Sequence, residues 1–205
     1  MSILDGALFY LVFWSLWVYV TFILSRQNPY RFQLAAMILT IIIFSNYSFS
    51  IGNFEIYSSG VLMLLFCYFF ISQQKRISMI YQLICSLIIS VAYVSFHLFE
   101  IFDPVWIIFN KDWMLGVCLG FLAITLQKSL KERLLIVVSG TMQGELLYAY
   151  TVSKFQFPSP IGALAYLDVC SLVIVLLMAW SFLENAGTIF QQYFQFMEKG
   201  KQKSS

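Results

Sequence analysis

The chain has 205 residues, of which 60% are hydrophobic and only 11% charged, with a net charge of +2 and a mean hydropathy of +0.82. A soluble domain carries roughly 25% charged residues, so this composition excludes a water-covered globule. The few basic residues are scattered rather than gathered into a stripe, which excludes a nucleic-acid partner.

At about 20 residues per crossing, the length suits an all-α, polytopic transmembrane helix bundle of seven spans with short connections. The first apolar run lacks the positive n-region and small-residue cleavage site of a signal peptide, so residues 7–24 are expected as a retained first span. It is dense in aromatics: Tyr10, Trp14, Trp17 and Tyr19. Arg26, Pro29 and Arg31 make a polar turn before span two, 32–48. A polar link, Ser45–Glu55, leads to span three, 56–72, closed by Lys75 and Arg76. Span four, 78–97, ends on the lone histidine, His97, and Phe99–Asp112 reads as a loop. Span five, 113–127, is short for a bilayer of about 30 Å. Spans six, 134–151, and seven, 161–183, complete the domain of residues 1–184. Beyond it, Leu183, Ala186, Phe190, Tyr193 and Met197 recur at helical spacing and Lys199, Lys201 and Lys203 follow. Residues 185–205 therefore read as an amphipathic helix on the cytoplasmic surface with a basic anchor for anionic lipid.

Charge sets the orientation. With the N-terminus outside, the cytoplasmic segments hold Arg26, Arg31, Lys75, Arg76, Lys128, Lys131, Arg133, Lys199, Lys201 and Lys203, against Lys111 and Lys154 outside. Ten against two is a strong positive-inside bias, and it places the C-terminus in the cytoplasm.

Two carboxylates fall inside spans, Glu145 and Asp168. Counting residues from the span ends puts each about 12 Å from the outer boundary, on consecutive antiparallel helices. Gly140, Thr141, Gly144, Glu145 and Tyr148 share one side of span six, with Gln143 beside them. Gly140-x-x-x-Gly144 and Gly116-x-x-x-Gly120 have the small-residue pattern that lets membrane helices approach. Spans five, six and seven are therefore expected to pack closely, with both carboxylates inward. Whether the carboxylates face each other is left open by depth alone. For Glu145 two readings stand side by side, a proton- or cation-binding group and a hydrogen-bonded structural acid.

His97, Glu100 and Asp103 fall at the outer interface. Glu100 is three residues from His97, but no further histidine or cysteine accompanies them, so no metal site is expected. The cysteines, Cys67, Cys85, Cys118 and Cys170, lie singly in separate apolar segments and read as small hydrophobes. H-E-x-x-H, G-x-S-x-G and the phosphate-binding G-x-x-x-x-G-K are absent. The lysines fall outside the spans, which excludes a Schiff-base chromophore. No catalytic residues and no cofactor are assigned.

The opening Phe9-Tyr10-Leu-Val-Phe13-Trp14-Ser-Leu-Trp17-Val-Tyr-Val-Thr21-Phe22 and the stretch Gly140-Thr-Met-Gln143-Gly144-Glu145-Leu-Leu-Tyr148 resemble the YphA-like membrane proteins of Bacillus and relatives. The resemblance implies a multi-pass protein of the bacterial cytoplasmic membrane with uncharacterised function, and it brings no site residues to carry over. The expected role is a non-enzymatic accessory or assembly component, associating through its small-residue faces with another membrane protein or a second copy. The alternative is a small proton- or cation-coupled transporter using Glu145 and Asp168. An intramembrane enzyme with paired carboxylates is a third reading, and it requires a water-filled pocket.

Overall fold

A computed structural model describes residues 5–202 apart from 26, 53, 104, 106, 109 and 156–158; beyond residue 187 only the course of the helix is described. The described residues form seven α-helices and one short hairpin. Helix α1, Ala7–Val18, continues through a π-helical turn at Tyr19–Ile23, and α2 covers Arg31–Ile43 with a 3₁₀ turn at Phe44–Asn46. Strands β1, Ser48–Ile51, and β2, Phe54–Tyr57, precede α3, Ser58–Ser72. Then come α4, Arg76–Phe102, α5, Lys111–Leu126, α6, Leu130–Ser153, and α7, Leu164–Gln202.

Helices α4 (Arg76–Phe102) and α7 (over Leu164–Gly187) are long and apolar enough to cross a membrane, and three shorter apolar helices cover Ala7–Ile23, Arg31–Asn46 and Ser58–Ser72. Helix α4 buries polar as well as apolar residues and exposes a run of apolar ones. Its inward face carries Gln82, Ser86, Ser90 and Tyr93, all buried, while Ile77, Ile80, Ile84, Leu87, Ile88 and Val91 are exposed. That arrangement suits a hydrocarbon solvent, where polar groups must be satisfied within the protein.

Local chemistry accounts for the helix starts. Asn110 caps α5 by accepting from the Asp112 amide at 2.9 Å, and Ser129 caps α6 by accepting from the Glu132 amide at 3.3 Å, each satisfying an otherwise orphaned N–H. At the other end of α1, the Arg31 guanidinium donates to the carbonyls of Val20 and Thr21, which the π-helical turn leaves open.

Three features differ from the sequence expectation. The fold is not wholly α-helical, because the polar link after α2 is an antiparallel hairpin pairing Ser48 with Tyr57 through Ile51 with Phe54. Ile161 extends it: Tyr57 N–H donates to its carbonyl at 2.9 Å, and its own N–H donates to Glu55 at 2.8 Å. Four-residue strands leave too few alternations to be told from the end of an apolar span. Second, α4 continues to Phe102, so His97 and Glu100 lie on a helix rather than at the edge of a loop. Third, α7 runs 39 residues without a break at 184, about 58 Å, so no turn separates the seventh apolar segment from the tail. The side chains of Phe190, Tyr193, Met197, Lys199 and Lys201, and all of Lys203, lie outside the described residues.

Candidate functional site

The polar residues of the Ser139–Tyr150 stretch sit at a joint between α3, α4, α6 and the start of α7. The joint exists because Gly140 and Gly144 have no side chains. A Cβ on Gly140 would lie 2.6 Å from the Ser86 carbonyl oxygen and 2.7 Å from Ile89 Cβ; one on Gly144 would lie 2.8 Å from Tyr93 Cδ1. Backbone contact at this range is the device of small-residue membrane packing. The pair therefore faces α4.

Glu145, 8% exposed, is brought by this contact against Tyr93, whose hydroxyl donates to its Oε2. The Gly162 backbone amide lies beside the Glu145 carboxylate. Gly162 has φ +71° and its Cα packs on Gly60 at the head of α3. A left-handed residue without a side chain is what that close passage requires. Thr141 turns to α7, with Oγ1 3.1 Å from the Tyr166 hydroxyl. Gln143 turns to α3 and α4, donating to the Tyr68 hydroxyl at 2.7 Å and to Ser86 Oγ at 3.4 Å. Tyr148 is half-buried with its ring 5.1 Å from that of His97.

Asp168 has a different task. Its two oxygens accept from the backbone amides of Gly6 at 2.6 Å and Phe9 at 2.7 Å. A side chain on α7 thus supplies the N-terminal cap of α1, which Gly6 itself cannot provide. The negative charge also lies at the positive end of the α1 dipole. Glu145 and Asp168, at similar depth by residue count, take separate sets of partners.

The remaining expected residues divide in the same way. Gly116 receives the side chain of Leu172, joining α5 to α7, whereas a Cβ on Gly120 would meet nothing within 4 Å. Gly120 is thus a correction to the packing set: its helix face passes no neighbour closely, and Gly120→Ala should stabilise the fold by up to about 1 kcal/mol through helix propensity, read as a raised unfolding midpoint in detergent. His97 Nδ1 lies 3.2 Å from Glu100 Oε2, and Lys111 reaches Glu100 Oε1 at 3.2 Å. Asp103 is exposed and accepts from the Val105 amide at 3.3 Å. Cys67, Cys85 and Cys170 are buried and Cys118 is exposed, all as free thiols.

Sequence reasoning missed one joint entirely. Arg133, 5% exposed in its side chain, makes a bidentate pair with Glu184 at 2.8 and 3.1 Å, and donates from Nε to the Gln127 carbonyl at 2.8 Å. Trp180 Nε1 donates to the same carboxylate at 2.7 Å. A fork-shaped pair of this geometry is among the stronger charge-assisted contacts. Glu184 is 41% exposed, so Glu184→Gln should cost under about 1 kcal/mol. Arg133→Ala, which strands the buried Gln127 carbonyl, should cost about 2–3 kcal/mol. A denaturant series on both variants checks the asymmetry.

A family model described as YphA-like integral membrane protein matches residues 5–203. The chain belongs to this family. Among curated proteins, one named uncharacterized protein YphA from Bacillus subtilis (strain 168) is 27% identical over 197 residues, covering 96% of this chain and 98% of that one. No solved structure matches. Membership in the YphA-like family makes the chain an integral membrane protein, in keeping with the run of exposed apolar residues on α4.

Proposed function

We propose that the chain is a non-enzymatic accessory or assembly component of the bacterial cytoplasmic membrane, crossing it seven times with its N-terminus outside and its C-terminus in the cytoplasm. The observation that carries this reading is the use made of buried charge. Asp168 is bonded through both oxygens to the backbone of α1, and Arg133 is bonded to Glu184 and Gln127. Charges spent on joining helices are building material. Coupled transport by Glu145 and Asp168 together needs both carboxylates on one cation, and Asp168 is already occupied.

The orientation is supported by contacts that group the connections by charge. The hairpin, Ile161 and the Glu100–Lys111 pair belong to the sparsely basic connections. Arg133, Glu184, and Lys131 stacked on Phe70 belong to the basic ones. In this reading residues 1–184 are the membrane domain, and the lysines of 185–205 attract anionic lipid headgroups. The exposed helix faces serve a second copy or another membrane protein.

Two measurements test it. A reporter fused at Asp103 should report the outer side, and a cytoplasmic signal overturns the orientation. In a deletion strain, complementation by Asp168→Asn and Arg133→Gln should track the amount of folded protein. Asp168→Asn present at the normal level with the phenotype lost would reject the accessory role in favour of transport or catalysis.

A further inference from the structure

We infer that Glu145 is a proton-binding site in exchange with water at the Glu100–Lys111 end of the bundle, reached through His97. The proposal rests on how the groups along the α4–α6 seam are placed.

Among the described residues, Glu145 is held by a neutral donor, the Tyr93 hydroxyl, with the Gly162 amide beside it. Lys111–Glu100 and Arg133–Glu184 are ion pairs among the described residues and His97 is hydrogen-bonded to Glu100, and none of these contacts reaches Glu145. No ion pair among the described residues answers its charge, and a proton on the carboxylate removes that charge without a partner. Asp168, by contrast, needs its charge for the α1 cap.

One helical turn from Tyr93, about 6 Å along α4, stands His97. Its ring centroid is 4.6 Å from that of Tyr93 and 5.1 Å from that of Tyr148, between the two tyrosines that flank Glu145. Glu100 faces Nδ1, which favours the tautomer with hydrogen on that nitrogen. Nε2 is then the lone-pair nitrogen. It is buried and has no partner, an uncommon state for a polar atom in a packed interior. Glu100 is 26% exposed and Lys111 54% exposed in their side chains, and His97 stands between this ion pair and the tyrosines beside Glu145.

Tyr148 on α6 and Tyr93 on α4 lie beside both Glu145 and His97. Tyr166 on α7 faces Glu145, and with Cys170 it faces Tyr93. Lys111 and Asp112 at the start of α5 face His97, and Asp168 is close to Asp112. Uptake is one proton added to the Glu145 carboxylate to give the neutral acid. Release through His97 breaks the Glu145 O–H bond and forms Nε2–H while the Nδ1 hydrogen passes to Glu100 and water; uptake reverses both transfers, and Tyr93 keeps its hydrogen throughout.

The test is infrared spectroscopy of the full chain in lipid nanodiscs, with the pH varied from about 4 to about 9 to bracket the carboxylate and histidine ranges. A buried carboxylic C=O band should grow reversibly as pH falls, vanish in Glu145→Gln and move to higher frequency in Tyr93→Phe. His97→Phe keeps a ring between the tyrosines but removes Nε2, and it should slow exchange after a pH jump by about tenfold or more. A band of constant amplitude over the whole range overturns the proposal, because Glu145 would then be locked in one state. A band that survives Glu145→Gln, or wild-type exchange in His97→Phe, overturns it equally. If Glu145→Gln fails to fold, the Tyr93→Phe shift decides whether the titrating band belongs to Glu145: a titrating band that does not move rejects the proposal.

Discussion

Gly140→Ala is expected to be the most damaging single-methyl change in this chain. The added carbon would lie 2.6 Å from a backbone oxygen of α4 and 2.7 Å from Ile89 Cβ. The Ser86 carbonyl belongs to a helical backbone and cannot swing aside, so α4 and α6 must separate. Overpacking of this kind costs about 1–3 kcal/mol and sometimes more, and the gain in helix propensity returns only about 1 kcal/mol. A net loss of up to about 2 kcal/mol should appear as a lowered midpoint on titration into denaturing detergent. Gly120→Ala is the matched control, since both are buried helical glycines in G-x-x-x-G patterns. Opposite signs are expected. Equal effects would mean that the α4–α6 contact is not the close one described here.

Asp168→Ala should release α1. The carboxylate accepts two short bonds, at 2.6 and 2.7 Å, from amides that have no other cap. Charge-assisted bonds contribute about 1.5–3 kcal/mol each, and orphaned amides in a hydrocarbon setting find no water to replace them. A loss of about 3–5 kcal/mol is expected for alanine. Asparagine presents one acceptor oxygen where aspartate presents two, so Asp168→Asn should lose about half as much. Trp14 and Trp17 lie on α1 and pack edge to face at 5.7 Å, so their fluorescence reports its detachment directly. If Asp168→Ala unfolds at the wild-type midpoint with unchanged tryptophan emission, the cap contributes nothing.

These two expectations mark where residue patterns sufficed and where they stopped. Gly140-x-x-x-Gly144 is readable as a close-packing device because small residues at four-residue spacing have one structural use in an apolar helix. Which helix they admit is not readable. The pattern was expected to bind spans five, six and seven together, whereas its partner is α4, many residues earlier in the chain. Asp168 is similar: its presence in an apolar segment signals that a partner must exist. That partner is the backbone of Gly6 and Phe9, and backbone amides leave no trace in a sequence. Arg133 looked like one more basic loop residue, because charge counting treats every lysine and arginine alike. Only its burial against Glu184 and Gln127 separates it from Lys128 and Lys131.

His97 and Glu100 were legible as neighbours, since three residues apart on a helix places them on one face. The tyrosines around them were not, because twelve tyrosines in a chain with 19% aromatic residues carry no individual signal. Tyr93 acquires meaning when Gly144 lets its side chain close on α6.

By itself, the sequence determined the solvent. A chain this apolar, with its few charges gathered between apolar runs, has to fold in a membrane, since neither fact depends on contacts. It also determined that Glu145 and Asp168 must be answered by something within the protein. Tertiary structure alone decided what answers them: the Tyr93 hydroxyl for Glu145, the start of α1 for Asp168. The reason is physical. Hydropathy and helical period are properties of neighbours along the chain, whereas a hydrogen bond depends on which helices touch, and that is settled by shape across the whole bundle.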